Sequence, residues 1–389
     1  AASETSVSGR VTVSGTDILI DGEIPEEKFF GVVDTTALQF AIMAYVNGDT
    51  SVAGKNSVFD GPDTSSNGGK ISQNATANDF WHQYFALMKH YDCNLVRIGA
   101  GDSWGSSIQY QAWLNHRESY VSMLKTMCEE AMEHGVWVCL VLAGSQEYPA
   151  YQFGGEGSVF DTSSSAYSNY IQYCKSMMSL LENENAVAMY DMFNEPDHNN
   201  CNANYWHGDK QAFSNWASAV AEDTNNVSTH PRTLGVAGYG DLFSSWSQED
   251  FDLSTGDVGF EIAHRHYYAS AKDSSLFSQP EAWADHYGLP LLWGELADNS
   301  VYPLIRHTYG EEAIWNAGGQ AITSMVLTGT DGYPYAGDTI ESASVANAVT
   351  EEVNHIVSND ASNDLSNPFA PVIGFIGAMF LFLRFRGKL

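Results

Sequence analysis

Short apolar runs recur along the chain, each ending in a polar loop, and most are followed by a stretch whose apolar residues fall on one helical face. Runs of this length, rich in β-branched and aromatic residues, predict strands, and their alternation with helical patterns predicts a parallel sheet covered by helices. The strand-like runs are Phe29–Asp34, Asn94–Ala100, Val136–Ala143, Ala186–Asn194, Thr233–Tyr239, Phe260–Tyr268, Leu289–Glu295 and Ala321–Thr328. Amphipathic stretches lie between them at Asp79–His90, Trp113–His134, Ala166–Leu181, Lys210–Asn225 and Leu304–Ala317. Eight strand-like runs in such an alternation predict an α/β fold, a (β/α)8 TIM barrel over residues 28–357.

The flanks break this rhythm. Within residues 1–27, the segment VSGRVTVSGTDILIDGE alternates apolar and polar positions around Gly and Asp turns, which predicts a β-hairpin capping the barrel floor. Between the first strand and the first helix, Thr35–Ala77 is rich in Gly, Ser, Asn and Asp and reads either as an insertion that shapes a cleft on the catalytic face or as a disordered surface loop. Residues 358–367 form a polar linker, and residues 368–389 are apolar with a basic tip at Arg384, Arg386 and Lys388. Phe369–Leu383 would span about 22 Å as a helix, extended to about 27 Å by Pro368, Arg384 and Phe385, so a C-terminal hydrophobic anchor helix, or a helix buried in an assembly, is expected ahead of the alternative, a sorting signal removed during maturation. An opening Ala1-Ala2-Ser3 without methionine fits a processed, exported chain.

Charge narrows the partners. With 17 Lys+Arg against 48 Asp+Glu, the net charge of -31 repels nucleic acid and polyanionic substrates, and an acidic exterior suits an extracellular protein. The cysteines Cys93, Cys128, Cys139, Cys174 and Cys201 lack metal-ligand spacing, so neither a metal nor a cofactor is expected; Cys139 reads as core, and others could pair in an oxidising compartment.

Barrel chemistry sits at the C-terminal ends of the strands, and polar residues gather there: Arg97 in the second run, Asn194 and Glu195 after the fourth, His264, His266 and Tyr268 in the sixth, and Glu295 in the seventh. A charge inside an apolar strand is costly unless paired, so Arg97, Glu195 and Glu295 are expected to converge. Two carboxyl groups flanking one bond are what glycoside hydrolysis requires. Rings stack on the C–H faces of sugars, and Trp104, Tyr148, Tyr151, Trp206, Trp246 and Tyr333 fall in the expected catalytic-face loops, with Trp104 and Trp206 taken as substrate-binding.

The run Tyr190-Asp191-Met192-Phe193-Asn194-Glu195-Pro196, with Leu95-Val96-Arg97, the His-x-Tyr pair His266 and Tyr268, and Leu292-Trp293-Gly294-Glu295, resembles glycoside hydrolase family 5, the cellulase- and mannanase-like barrel glycosidases. The resemblance runs from Val11 to about Ile356. It implies that Glu195 is the acid/base, Glu295 the nucleophile, Asn194 the holder of the sugar 2-hydroxyl and Arg97 the support of the nucleophile, with His266 and Tyr268 beside the substrate. The chain departs from the family pattern after the third strand, where Leu142-Ala143-Gly144-Ser145-Gln146 has no histidine, and after the eighth, where Met325–Thr330 has no tryptophan. The expected activity is that of a retaining glycosidase acting on a β-linked polysaccharide at the cell surface. The alternative is a non-catalytic glycosidase-like subunit of a surface assembly or membrane complex.

Overall fold

The computed structural model describes residues 9–26, 28–34, 37–49, 76–90, 93–99, 108–144, 153–198, 203–237, 242–243, 247–267, 275–296 and 312–315. Strands β1 (Val11–Ser14) and β2 (Asp17–Ile20) pair antiparallel around the turn at Gly15. The strands that follow are β3 (Phe30–Asp34), β4 (Leu95–Gly99), β5 (Trp137–Val141), β6 (Val187–Asn194), β7 (Arg232–Gly235), β8 (Ala263–Tyr267), β9 (Leu291–Leu296) and β10 (Glu312–Trp315). They form one parallel sheet in the order β7-β6-β5-β4-β3-β10-β9-β8. Parallel bridges from Thr233 to Ile262 and from Val236 to Arg265 join β7 to β8 and close the sheet into a barrel.

Helices Ala77–His90, Ile108–Glu133, Ser165–Leu180, Lys210–Asp223 and Ser275–Tyr287 lie between the strands. Ser164 and Asp209 begin two of them by accepting the amides of Tyr167 and Ala212, which satisfies donors that the first helical turn leaves open.

Two apolar clusters result from the alternation of side chains along each strand. The larger lies between strands and helices and includes Trp81, Tyr84, Ile98, Leu140, Met177 and Trp216. The smaller fills the barrel interior with Val33, Leu95, Cys139, Met189, Ile262 and Leu292, and Val11 and Ile18 of the hairpin pack into it. Two residues along three of these strands, on the same interior face, stand Arg97, Asp191 and His264. The apolar interior is thus topped by a charged layer on the side where the strands end.

The structure differs from the sequence expectation in three places. The strand that closes the barrel is Glu312–Trp315, inside a stretch that the apolar spacing assigned to a helix; Ala313 and Ile314 pair with β3, and Glu312 and Ala313 with β9. Ala321–Thr328 lies outside the described residues. The expected insertion begins as ordered structure: Ala37–Ala41 is helical, Ile42–Val46 continues as a π-turn, and Ala37, Leu38, Ala41 and Ile42 are buried in the larger core. Cys93, Cys128, Cys139 and Cys174 are all buried and free, so no disulfide forms among the described residues. No helix among the described residues is long and apolar enough to cross a membrane, and residues 368–389 lie outside them.

Candidate active site

Arg97 organises the site. At 1 % exposure its guanidinium donates from Nε and Nη2 to Asp191 Oδ2 (3.0 and 2.7 Å), from Nη2 to Asn194 Oδ1 (2.7 Å) and from Nη1 to Glu295 Oε1 (2.5 Å). Burial opposes its charge, but the carboxylates of Asp191 and Glu295 outweigh that effect and raise its affinity for the proton above the ordinary value. One cation therefore joins strands β4, β6 and β9, and its planar fork fixes the carboxyl group of Glu295 as well as its charge.

Glu195 sits one residue past β6 with φ at 47°, in the left-handed region that costs a side-chain-bearing residue strain. Its amide donates to Gly235 O (2.7 Å), and the Asn194 amide donates to Ala143 O (2.8 Å), so neighbouring strands hold the turn on both sides. The register irregularity between Asp191 and Asn194 marks the same departure from regular pairing. Asp197 Oδ1 then accepts the amide of Ala237 (2.9 Å), tying the loop after β6 to the one after β7.

His266 connects the two glutamates. Its Nδ1 is 2.8 Å from Glu195 Oε1 and 3.6 Å from Glu295 Oε2, and its Nε2 is 3.2 Å from His264 Nε2. Burial lowers the proton affinity of His266 to about 4 and that of His264 well below the usual range, so both rings are neutral near pH 7. With the His266 proton on Nε2, that group donates to His264 Nε2 and Nδ1 accepts from a protonated Glu195. With the proton on Nδ1, the same ring donates to an ionised Glu195. The pair of rings thus serves both protonation states of that carboxyl group.

The close packing has a backbone cause. Strand β8 pairs Arg265 with Trp293 but His266 with Glu295, leaving Gly294 as the extra residue of a bulge. A Cβ at Gly294 would stand 1.5 Å from His264 Nε2, so only glycine lets the ring lie there. At Gly235 a Cβ would stand 2.7 Å from Asp191 Oδ2 and 2.9 Å from Arg97 Nη2.

Burial also raises the Glu295 carboxyl above its ordinary value; His266 and Arg97 pull it down, and Glu195 adds to the rise. Oxygens of Glu195 and Glu295 and a nitrogen of His266 all lie within 4.8 Å of one another. The arrangement can deliver a proton and a carboxylate nucleophile to a single bond.

The structure brings Arg97, Asn194, Glu195, His266 and Glu295 together. Tyr268 and Trp104 lie outside the described residues, as do Tyr148, Tyr151, Trp246 and Tyr333. Trp206 does not join the site: it is buried against Phe160, Phe213 and Trp216, and its Nε1 donates to Pro196 O (2.9 Å). The expectation of a sugar platform fails there because the indole is consumed by packing. His264, the other histidine that same-face spacing on this strand offers, meets His266 ring to ring and stands 3.7 Å from Asp191 Oδ2. Asp191 has no expected role in the sequence, although it interrupts an apolar strand as Arg97 does, which is the available signal.

Residues 54–311 match the family model Cellulase (glycosyl hydrolase family 5). Mannan endo-1,4-beta-mannosidase A of Hypocrea jecorina is 25 % identical over 147 residues, which cover 36 % of this chain and 29 % of that enzyme, so the match spans less than a third of the relative's length. Among solved structures, the endo-1,4-beta-mannanase of Rhizomucor miehei is similar with a TM-score of 0.55 at 13 % identity, covering 90 % of this chain and 99 % of that one. The endo-1,4-beta-mannanase of Eisenia fetida gives a TM-score of 0.54 at 16 % identity over 90 % of this chain and 95 % of that one. At these identities the structural likeness shows a shared barrel fold.

Proposed function

Because the chain belongs to glycosyl hydrolase family 5, we propose that it is a glycosidase that cleaves a β-linked polysaccharide with retention of anomeric configuration. The approach of Glu195 and Glu295 carboxyl oxygens to within 4.8 Å carries this reading, since double displacement needs carboxyl groups about 5 Å apart and inversion needs a wider gap for water. Glu295, held by Arg97, attacks the anomeric carbon as protonated Glu195 gives its proton to the leaving glycosidic oxygen. Water then gives a proton to ionised Glu195 as its oxygen attacks the anomeric carbon, which frees Glu295 and restores the acid. Asn194, fixed by Arg97 Nη2, stands beside Glu195 to hold a sugar hydroxyl.

The mannanases among the relatives make β-1,4-mannan the first polymer to try and β-glucan the second. A 2-fluoroglycoside of the matching sugar is expected to label Glu295, and Glu195→Gln to lower kcat on the polymer by about 10²- to 10⁴-fold. Full activity in Glu195→Gln, or a first product of inverted configuration by NMR, would refute the assignment. The acidic exterior and the apolar segment before Arg384, Arg386 and Lys388 support display at the cell surface, through anchorage in the membrane. Release of the protein from washed membranes by salt rather than detergent would count against that location.

A further inference from the structure

A second cluster of metal-ligating groups lies apart from the glutamate pair. Helix Ala77–His90 contributes His82, and the neighbouring helix Ile108–Glu133 contributes Glu130, with His134 just beyond its end. His82 Nδ1 is 2.9 Å from Glu130 Oε2, and His134 Nδ1 is 3.9 Å from the same oxygen. One donor atom from each of the three residues lies within 4.8 Å of the others. His134 precedes β5 by only a few residues, so the cluster belongs to the side where strands begin, whereas Glu195 and Glu295 stand where strands end.

The carboxyl group is the informative member. The side chain of Glu130 is 5 % exposed, yet among the described residues its ion-pair partners are the two histidines, groups that carry charge only when protonated. A buried carboxylate without a permanent cation is expensive. Asn78 Nδ2 donates to Glu130 Oε1, which turns Oε2 toward the imidazoles in the manner of an outer hydrogen bond that orients a metal-bound carboxylate. The His82 side chain is 57 % exposed, leaving an approach from solvent and room for water as a fourth ligand.

We propose that His82, Glu130 and His134 bind a divalent transition ion of the Zn2+ class that staples these two helices. Two imidazoles and one carboxylate favour Zn2+ over Mg2+ or Ca2+, which prefer all-oxygen sites. Tetrahedral coordination separates ligand atoms by roughly 3.4 Å, so the His82 contact lengthens slightly and the His134 contact shortens. His134 then exchanges its 2.8 Å contact with Glu130 O for the ion or ligates through its other ring nitrogen.

Calorimetric titration of the metal-stripped full chain with ZnCl2 tests the assignment, using His82→Ala, His134→Ala and Glu295→Ala in parallel. The expected result is saturable binding that weakens at least tenfold in each histidine variant and survives in Glu295→Ala. Saturating Zn2+ should raise Tm by on the order of 5 °C in the parent and leave His82→Ala unmoved, while MgCl2 moves neither. Because His82 is largely exposed, its replacement leaves a folded barrel, verified by circular dichroism. Equal Zn2+ affinity in parent and histidine variants, loss of binding in Glu295→Ala alone, or no binding to the parent would overturn the proposal.

Discussion

Asp191 shows how a single side chain supports the site from behind. It shares Arg97 with Glu295 and also accepts the Gly235 amide through Oδ1 (2.9 Å), so it neutralises the guanidinium and fixes the end of β7 together. Asp191→Asn keeps the shape and removes the charge; we expect a loss of about 3 kcal/mol in urea unfolding and a fall in kcat, because Arg97 then holds Glu295 alone. Gly235→Ala should leave secondary structure intact by circular dichroism and reduce activity by at least about 10²-fold, since its methyl group enters the space of Asp191 and Arg97. Buried histidines give the pH dependence of stability its sign. Burial lowers His266 and His230 to about 4 from 6.5, so below pH 6.5 the unfolded chain takes up protons that the folded chain refuses. Stability should therefore fall as pH drops from about 6.5 toward 4, with the raised Glu295 opposing this only near its own titration. Urea midpoints that stay level between pH 7 and pH 4.5 would contradict that reading.

At the level of elements, the strand ends carry the site because their regular pairing stops there. Bulges in β6 and β9 place Glu195 and Glu295 where an unbroken ladder would not, and both bulges lie beside residues readable in the sequence. The apolar runs that carry or end at Arg97, Glu195 and Glu295 are legible because a charge in an apolar strand needs a partner. The closing strand at Glu312–Trp315 is not, since its pairing depends on β3 and β9, distant in sequence, while its local spacing is helical. Trp206 departs from expectation for a related reason: composition puts an aromatic residue in a loop without saying which side it faces. Trp206→Phe should cost about 1–2 kcal/mol, from lost volume and an unpaired Pro196 carbonyl, and leave KM within about twofold. A large rise in KM with unchanged stability would restore Trp206 to the substrate.

For the whole molecule, a net charge of -31 sits around two apolar clusters joined through one sheet. Self-repulsion of that surface is screened within about 3 Å at 1 M salt, so Tm should rise between 20 mM and 1 M NaCl; a fall would mean that exposed ion pairs dominate instead. Against this background the left-handed backbone of Glu195 acquires a second meaning. Asparagine tolerates that conformation better and buries less charge, so Glu195→Asn should fold more tightly than the parent while losing turnover. Selection for heat tolerance alone would then favour the inactive protein, and only a screen that scores product alongside survival would keep the acid in place.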